Sequence, residues 1–179
     1  KKIIWIVLLI ILVVGGILVF SLEGKKENKE TVEEDKIQIG MSFDSFVIER
    51  WLRDRDVFVS TAKELGAEVN VQNANGDIEE QKKHINYFIE KGVDAIVIVC
   101  IDSYGLKDEV KKALDAGIKV VAYDRLITEA NVDLYISFDN AKVGEMMGDA
   151  LVESGIKGKN VLMLGGSPTD SNVPILEGA

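Results

Sequence analysis

The side chains with the most chemical potential recur at one kind of place, directly after short apolar runs. In "KVVAYDRL" (residues 119–126), Asp124 and Arg125 follow such a run. Asp44 follows "IGMSF", Asp102 follows "AIVIVCI", and Asp139 and Asn140 follow "YISF". Ser167, Asp170 and Asn172 come after "VLMLGG". An Asp–Arg pair at such a point reads equally well as a structural salt bridge or as the wall of a site.

Some chemistries fit these residues poorly. With one histidine and one cysteine in 179 residues, neither a His/Cys metal cluster nor a thiol–imidazole pair is readily assembled. His84 falls within an expected helix and reads as a solvated flank residue, and Cys100 reads as a small buried hydrophobe. Gly165-Gly166-Ser167 is glycine-rich, but Pro168 follows and no Gly-Lys-Ser/Thr phosphate loop is present. No metal site and no cofactor are expected, and no catalytic residues are assigned.

Asp, Asn and Arg together suit a neutral ligand rich in hydroxyls. Each hydroxyl donates and accepts, so carboxylates receive its proton while guanidinium and amide groups donate to its oxygen. An arginine fork can bridge two vicinal hydroxyls, which lysine cannot. Trp51 offers an aromatic face for the C–H side of a sugar ring, and reads equally well as a core residue.

These residues need a scaffold that gathers strand ends. From residue 36 onward, strand-length apolar runs alternate with amphipathic segments. The expected strands are "KIQIGMSF", "EVNVQ", "AIVIVC", "KVVAY", "LYISF" and "NVLMLGG". The expected helices cover 49–65 (Trp51, Phe58, Ala62 and Leu65 inward), 78–91 (Ile78, Ile85, Phe88 and Ile89 inward), 106–116 and 141–154 (Val143, Met147 and Leu151 inward). Gly66, Gly92 and Gly117 punctuate the first three. Such alternation implies right-handed βαβ units around a parallel sheet with helices on both faces. In folds of this type ligands sit beyond the carboxyl ends of the strands, where the polar residues fall.

The first 35 residues read differently. "IIWIVLLIILVVGGILVF" (residues 3–20) carries no charge and would span about 27 Å as a helix, close to a bilayer core. A retained transmembrane anchor over 3–22 is expected in preference to a cleaved leader, followed by a polar linker over 23–35. The formal net charge of −9, with no basic cluster bearing interleaved aromatics, argues against nucleic acid.

Specific motifs sharpen this. "GMSFDSFVIERWLRDRDVF", "VQNANGD", "VVAYDRLI", "YISFDNAKVGE" and "GGSPTDSN" resemble, in order and spacing, the xylose-binding branch of the type I periplasmic sugar-binding family. The resemblance runs from about residue 36 to the end of the chain. It implies a two-lobed fold closing on a sugar like a hinged trap, with the first lobe at 36–138 and the hinge and an incomplete start of the second lobe at 139–179. It implies sugar contacts from Arg50 and Trp51, from Asp124 and Arg125, and from Asp170 and Asn172, with Asp139 and Asn140 at the hinge.

The function so implied is binding of D-xylose or a similar monosaccharide by a single-pass, membrane-anchored, truncated family member on the extracytoplasmic side. A histidine kinase sensor or an ABC permease would be its partner. The alternatives are a purely transport-associated binding protein, a repressor-type effector domain, and a phosphoacceptor or enzymatic α/β domain using Asp44 and Asp102.

Overall fold

A computed structural model describes residues 36–158 and 160–179. The expected membrane span and polar linker lie outside the described residues. Among the described residues, no helix is long and apolar enough to cross a membrane.

The elements run β1 (Gln38–Phe43), α1 (Glu49–Glu64), β2 (Glu68–Asn73), α2 (Ile78–Lys91), β3 (Ala95–Ile98), α3 (Lys107–Asp115), β4 (Lys119–Tyr123), β5 (Leu134–Ile136), α4 (Asn140–Glu153) and α5 (Val173–Gly178). The strands form one five-stranded sheet in the order β2-β1-β3-β4-β5, with every neighbouring pair parallel. The chain builds outward from β1 to β2, then crosses back to β3 on the other side. A topological switch point therefore lies between β1 and β3, where the crevice of such sheets opens.

Two apolar layers sandwich the sheet. Ile96 and Ile98 of β3 join Val120 and Ala122 of β4 beneath Ile85 and Phe88 of α2 and Leu106 and Val110 at α3. Val97 and Val99 point to the opposite face and meet Met41 and Phe43 of β1 and Trp51 of α1. This period-two division explains why "AIVIVC" is apolar throughout: both of its faces are covered. Gly40 in β1 permits a close approach, because a Cβ there would sit 2.5 Å from Cγ of Phe88. α2 is capped at both ends, by the Asp77 carboxylate accepting from Glu79 N at 2.9 Å and by Gly92 in the left-handed region.

Four expectations need correction. The run at 160–166 forms no strand, and Val161, Leu162, Met163 and Leu164 are exposed. Among the described residues no strand pairs with it, so its backbone has no ladder to join. Val143, Met147 and Leu151 of α4 are exposed rather than inward, because α4 packs chiefly on α5. Leu65 is exposed at the C-terminal end of α1, beyond the reach of the core. His84 is buried, not solvated. Its Nδ1 lies 3.2 Å from Ser42 Oγ, and burial pushes its pKa down.

Candidate functional site

The strand ends do gather polar side chains. β4 ends at Tyr123, and Asp124 then adopts a left-handed φ of 67°, uncommon for a residue with a side chain. Such a conformation costs on the order of 1–3 kcal/mol and persists where surrounding bonds over-determine it. Here they do. Asp124 N donates to Ile136 O at 2.7 Å, and Ser137 Oγ donates to Asp124 O at 2.7 Å. Tyr135 Oη and Asn172 Nδ2 reach the same carbonyl at 3.3 and 3.2 Å.

Asp124 and Arg125 serve different partners. The Asp124 carboxylate accepts from Arg50 Nη2 through Oδ2 and from Asn172 Nδ2 through Oδ1 at 3.0 Å. Arg125 Nη1 donates to Asp44 Oδ2 at 2.8 Å and to Cys100 O at 3.0 Å. Its Nε lies 2.8 Å from Asp170 Oδ2, an ion contact without hydrogen-bond alignment. Burial alone would lower the Arg125 pKa, but Asp170 and Asp44 outweigh it and hold the guanidinium above its usual range. The adjacent acid and base are therefore two separate anchors rather than one local salt bridge.

Arg50 forms a second shelf. Its guanidinium stacks 4.1 Å from the Trp51 ring centroid and 5.3 Å from that of Phe138. Its Nε lies 3.3 Å from Asp54 Oδ2, which also accepts from Tyr123 Oη at 2.9 Å. Burial, followed by the bond to Asp54, pushes the Tyr123 phenol up. Trp51 is only 2% exposed, so most of its ring area is spent on the core.

The segment 167–172 closes over these loops. Ser103 donates to Thr169 O from both N (3.0 Å) and Oγ (2.7 Å). Thr169 Oγ1 reaches Ile101 O at 3.3 Å, and Leu126 N donates to Ser171 Oγ at 2.8 Å. Asp170 and Asn172 are thereby carried to Arg125 and Asp124.

All six residues named as sugar contacts thus fall in one connected cluster: Arg50, Trp51, Asp124, Arg125, Asp170 and Asn172. Of the two named for the hinge, Asn140 joins it, donating to Asn172 Oδ1 at 3.0 Å. Asp139 instead caps α4 by accepting from Lys142 N. Asp102 turns away, its carboxylate accepting from Tyr104 N and Gly105 N in its own loop. Asp44, Asp54 and Tyr123 belong to the cluster and were not among the named contacts. Asp44 is one of the strand-end residues the sequence singles out, and Asp54 is one helical turn from Arg50, so spacing could have found it as well.

Chemically, two guanidinium groups face four carboxylates, Asp44, Asp54, Asp124 and Asp170. That excess of negative charge disfavours an anionic ligand and suits hydroxyls. Among the described residues, no group of three or more His, Cys, Asp or Glu side chains is arranged to hold a metal ion. A separate apolar groove of about 550 Å³, between α4, residues 161–166 and α5, shares no lining residue with the cluster.

Comparison with known proteins agrees with this architecture. Residues 39–177 match the family model described as a periplasmic binding protein domain. The chain is 48% identical over 140 residues to the D-xylose-binding periplasmic protein of Escherichia coli (strain K12), covering 78% of this chain and 42% of that protein. It is 41% identical over 162 residues to the protein of the same name from Haemophilus influenzae, covering 90% and 46%. A solute binding protein of an ABC transporter from Clostridium phytofermentans, with bound β-D-glucose, superimposes with a TM-score of 0.71 at 31% identity, over 79% of this chain and 45% of that one. The chain thus spans less than half the length of these relatives, which are binding proteins and not enzymes. Matched over most of its length by that model and carrying its parallel sheet, the chain belongs to the periplasmic binding protein family.

Proposed function

We propose that this chain supplies one wall of a monosaccharide site, with D-xylose as its ligand, in an extracytoplasmic receptor. The observation that carries the reading is the Arg50–Asp124 and Arg125–Asp44–Asp170 arrangement at the strand ends beside the β1/β3 switch point. Relatives named for D-xylose at 41–48% identity support the choice of sugar. In this reading Asp124 and Asp170 accept from sugar hydroxyls, while Arg50, Arg125 and Asn172 donate to them. The exposed part of the Arg50 guanidinium, backed by the buried Trp51 ring, meets the sugar, and Asp139 and Asn140 flank the hinge.

The uncharged segment at 3–20 supports a membrane-anchored receptor, which would report to a histidine kinase or feed an ABC permease. The identity of the neighbouring genes separates these two uses.

Isothermal titration of the full-length protein with D-xylose tests the site. Asp124→Ala and Arg125→Ala should each weaken binding by more than about a hundredfold, since each leaves a charged partner and sugar hydroxyls unpaired. Wild-type affinity in both variants would overturn the assignment.

A further inference from the structure

Gln81 lies on the inward face of α2, one turn before Ile85, and is fully buried (0% exposed). A primary amide in such a place is costly unless every polar atom finds a partner. Both ends of this one do, and the partners are backbone groups. Nε2 donates to Val99 O at 2.9 Å, and Oε1 accepts from Ile101 N at 2.9 Å. Nε2 also lies 3.4 Å from Ser42 Oγ.

The position along the chain gives this arrangement its meaning. The β3 ladder ends at Ile98, and Val99 N makes one last bond to Ser42 O. Beyond it no strand pairs with residues 99–101 among the described residues. The Gln81 amide stands in for that missing strand over one residue. In extended backbone, the carbonyl of one residue and the N–H two residues on point to the same side, and the carbonyl between them points to the other. Holding Val99 O and Ile101 N on the α2 side therefore turns Cys100 O away from α2. That carbonyl receives Arg125 Nη1 at 3.0 Å.

We propose that Gln81 is a positioning residue for Arg125: by fixing the peptides on either side of Cys100, it aims the Cys100 carbonyl at the guanidinium and sets its orientation in the cleft. The Gln81 amide bonds Val99 O, Ile101 N and Ser42 Oγ rather than the side chains of the strand-end cluster. The consequence for sugar affinity rests on the reading of Arg125 as a sugar contact, whereas the consequence for Arg125 itself does not.

The experiment compares wild type, Gln81→Leu and Gln81→Met in the full-length protein. It measures D-xylose affinity by titration, cooperative thermal unfolding, and the ¹⁵N-detected guanidinium signals of Arg125, assigned with Arg125→Lys. In wild type the Arg125 Nη groups should give separate, slowly exchanging signals. In either glutamine variant that still unfolds cooperatively, those signals should merge, and affinity should fall about tenfold or more. Separate Arg125 signals in a folded Gln81 variant would overturn the proposal, even if affinity dropped, because the loss would then be a general packing effect. If neither variant folds, the wild-type protein decides: Gln81 side-chain amide protons exchanging with solvent as fast as a free amide would also overturn it. If wild type fails to bind D-xylose, the functional reading fails separately, and the Arg125 signals still decide the role of Gln81.

Discussion

β3 and the segment 160–166 are both short apolar runs, but Ile96 and Ile98 are wholly buried while Leu162 is 85% exposed. The difference is in the neighbours. β3 has β1 on one side and β4 on the other, so each backbone N–H and C=O finds a ladder and alternate side chains reach two covered faces. Residues 160–166 have no ladder among the described residues, and the same kind of sequence lies open. The helices repeat the contrast. Ile85 and Phe88 of α2 are sealed against the sheet, whereas Met147 of α4 is 66% exposed. Hydropathy signals readiness to be buried, and burial itself depends on a partner surface.

The contrast can be broken most directly at Phe88. Phe88→Ala should cost about 3–5 kcal/mol in urea unfolding, since it empties a fully buried ring site that Gly40 was shaped to admit. A loss below about 1 kcal/mol would mean that this face is far looser than its packing implies.

A smaller effect should come from acid, acting through His84. Ser42 Oγ and His84 Nδ1 share a hydrogen bond at 3.2 Å, while Nε2 lies 3.9 Å from Glu80 Oε1. Desolvation holds the folded-state pKa below the ordinary 6.5, with Glu80 opposing and Lys83 assisting. The unfolded chain therefore takes up a proton first. The contribution is complete above about pH 6.5 and declines as pH falls below it. Stability of His84→Gln should be flatter over that acid range than wild type; parallel curves would remove His84 as the cause.

The smallest effect is expected at Leu162. In the 179-residue chain, Leu162→Ser should shift stability by no more than about 0.5 kcal/mol, as surface substitutions do. A loss approaching that of Phe88→Ala would mean that a surface covers 160–166 in solution, and would erase the contrast.

The sheet was largely legible beforehand because its signals are local. Apolar runs marked β1 to β4, the spacing of Ile78, Ile85, Phe88 and Ile89 defined α2, and Gly92 ended it. The rim was legible too, since strand ends and the family motifs pointed to Arg50, Asp124, Arg125, Asp170 and Asn172. Pairings were not. Nothing near Arg125 in sequence says that its carboxylate partners are Asp44 and Asp170, because they meet only when separate βα turns converge. Buried polar residues were hidden for a related reason. Gln81 and His84 interrupt an apolar face, and polarity alone cannot distinguish a solvated side chain from one bonded to backbone or to Ser42.

Cys100 gives the protein an intrinsic clock. It is the chain's single cysteine, fully buried, with a thiol pushed up to about 12, chiefly by burial. Its sulfur lies 3.7 Å from Arg125 O and 3.8 Å from Leu126 O, beneath the loop that carries Arg125. In the folded protein a thiol reagent therefore has almost nothing to attack. The rate at which a chromogenic disulfide consumes this thiol therefore reports every opening, local or global, that brings Cys100 to solvent, with no introduced label.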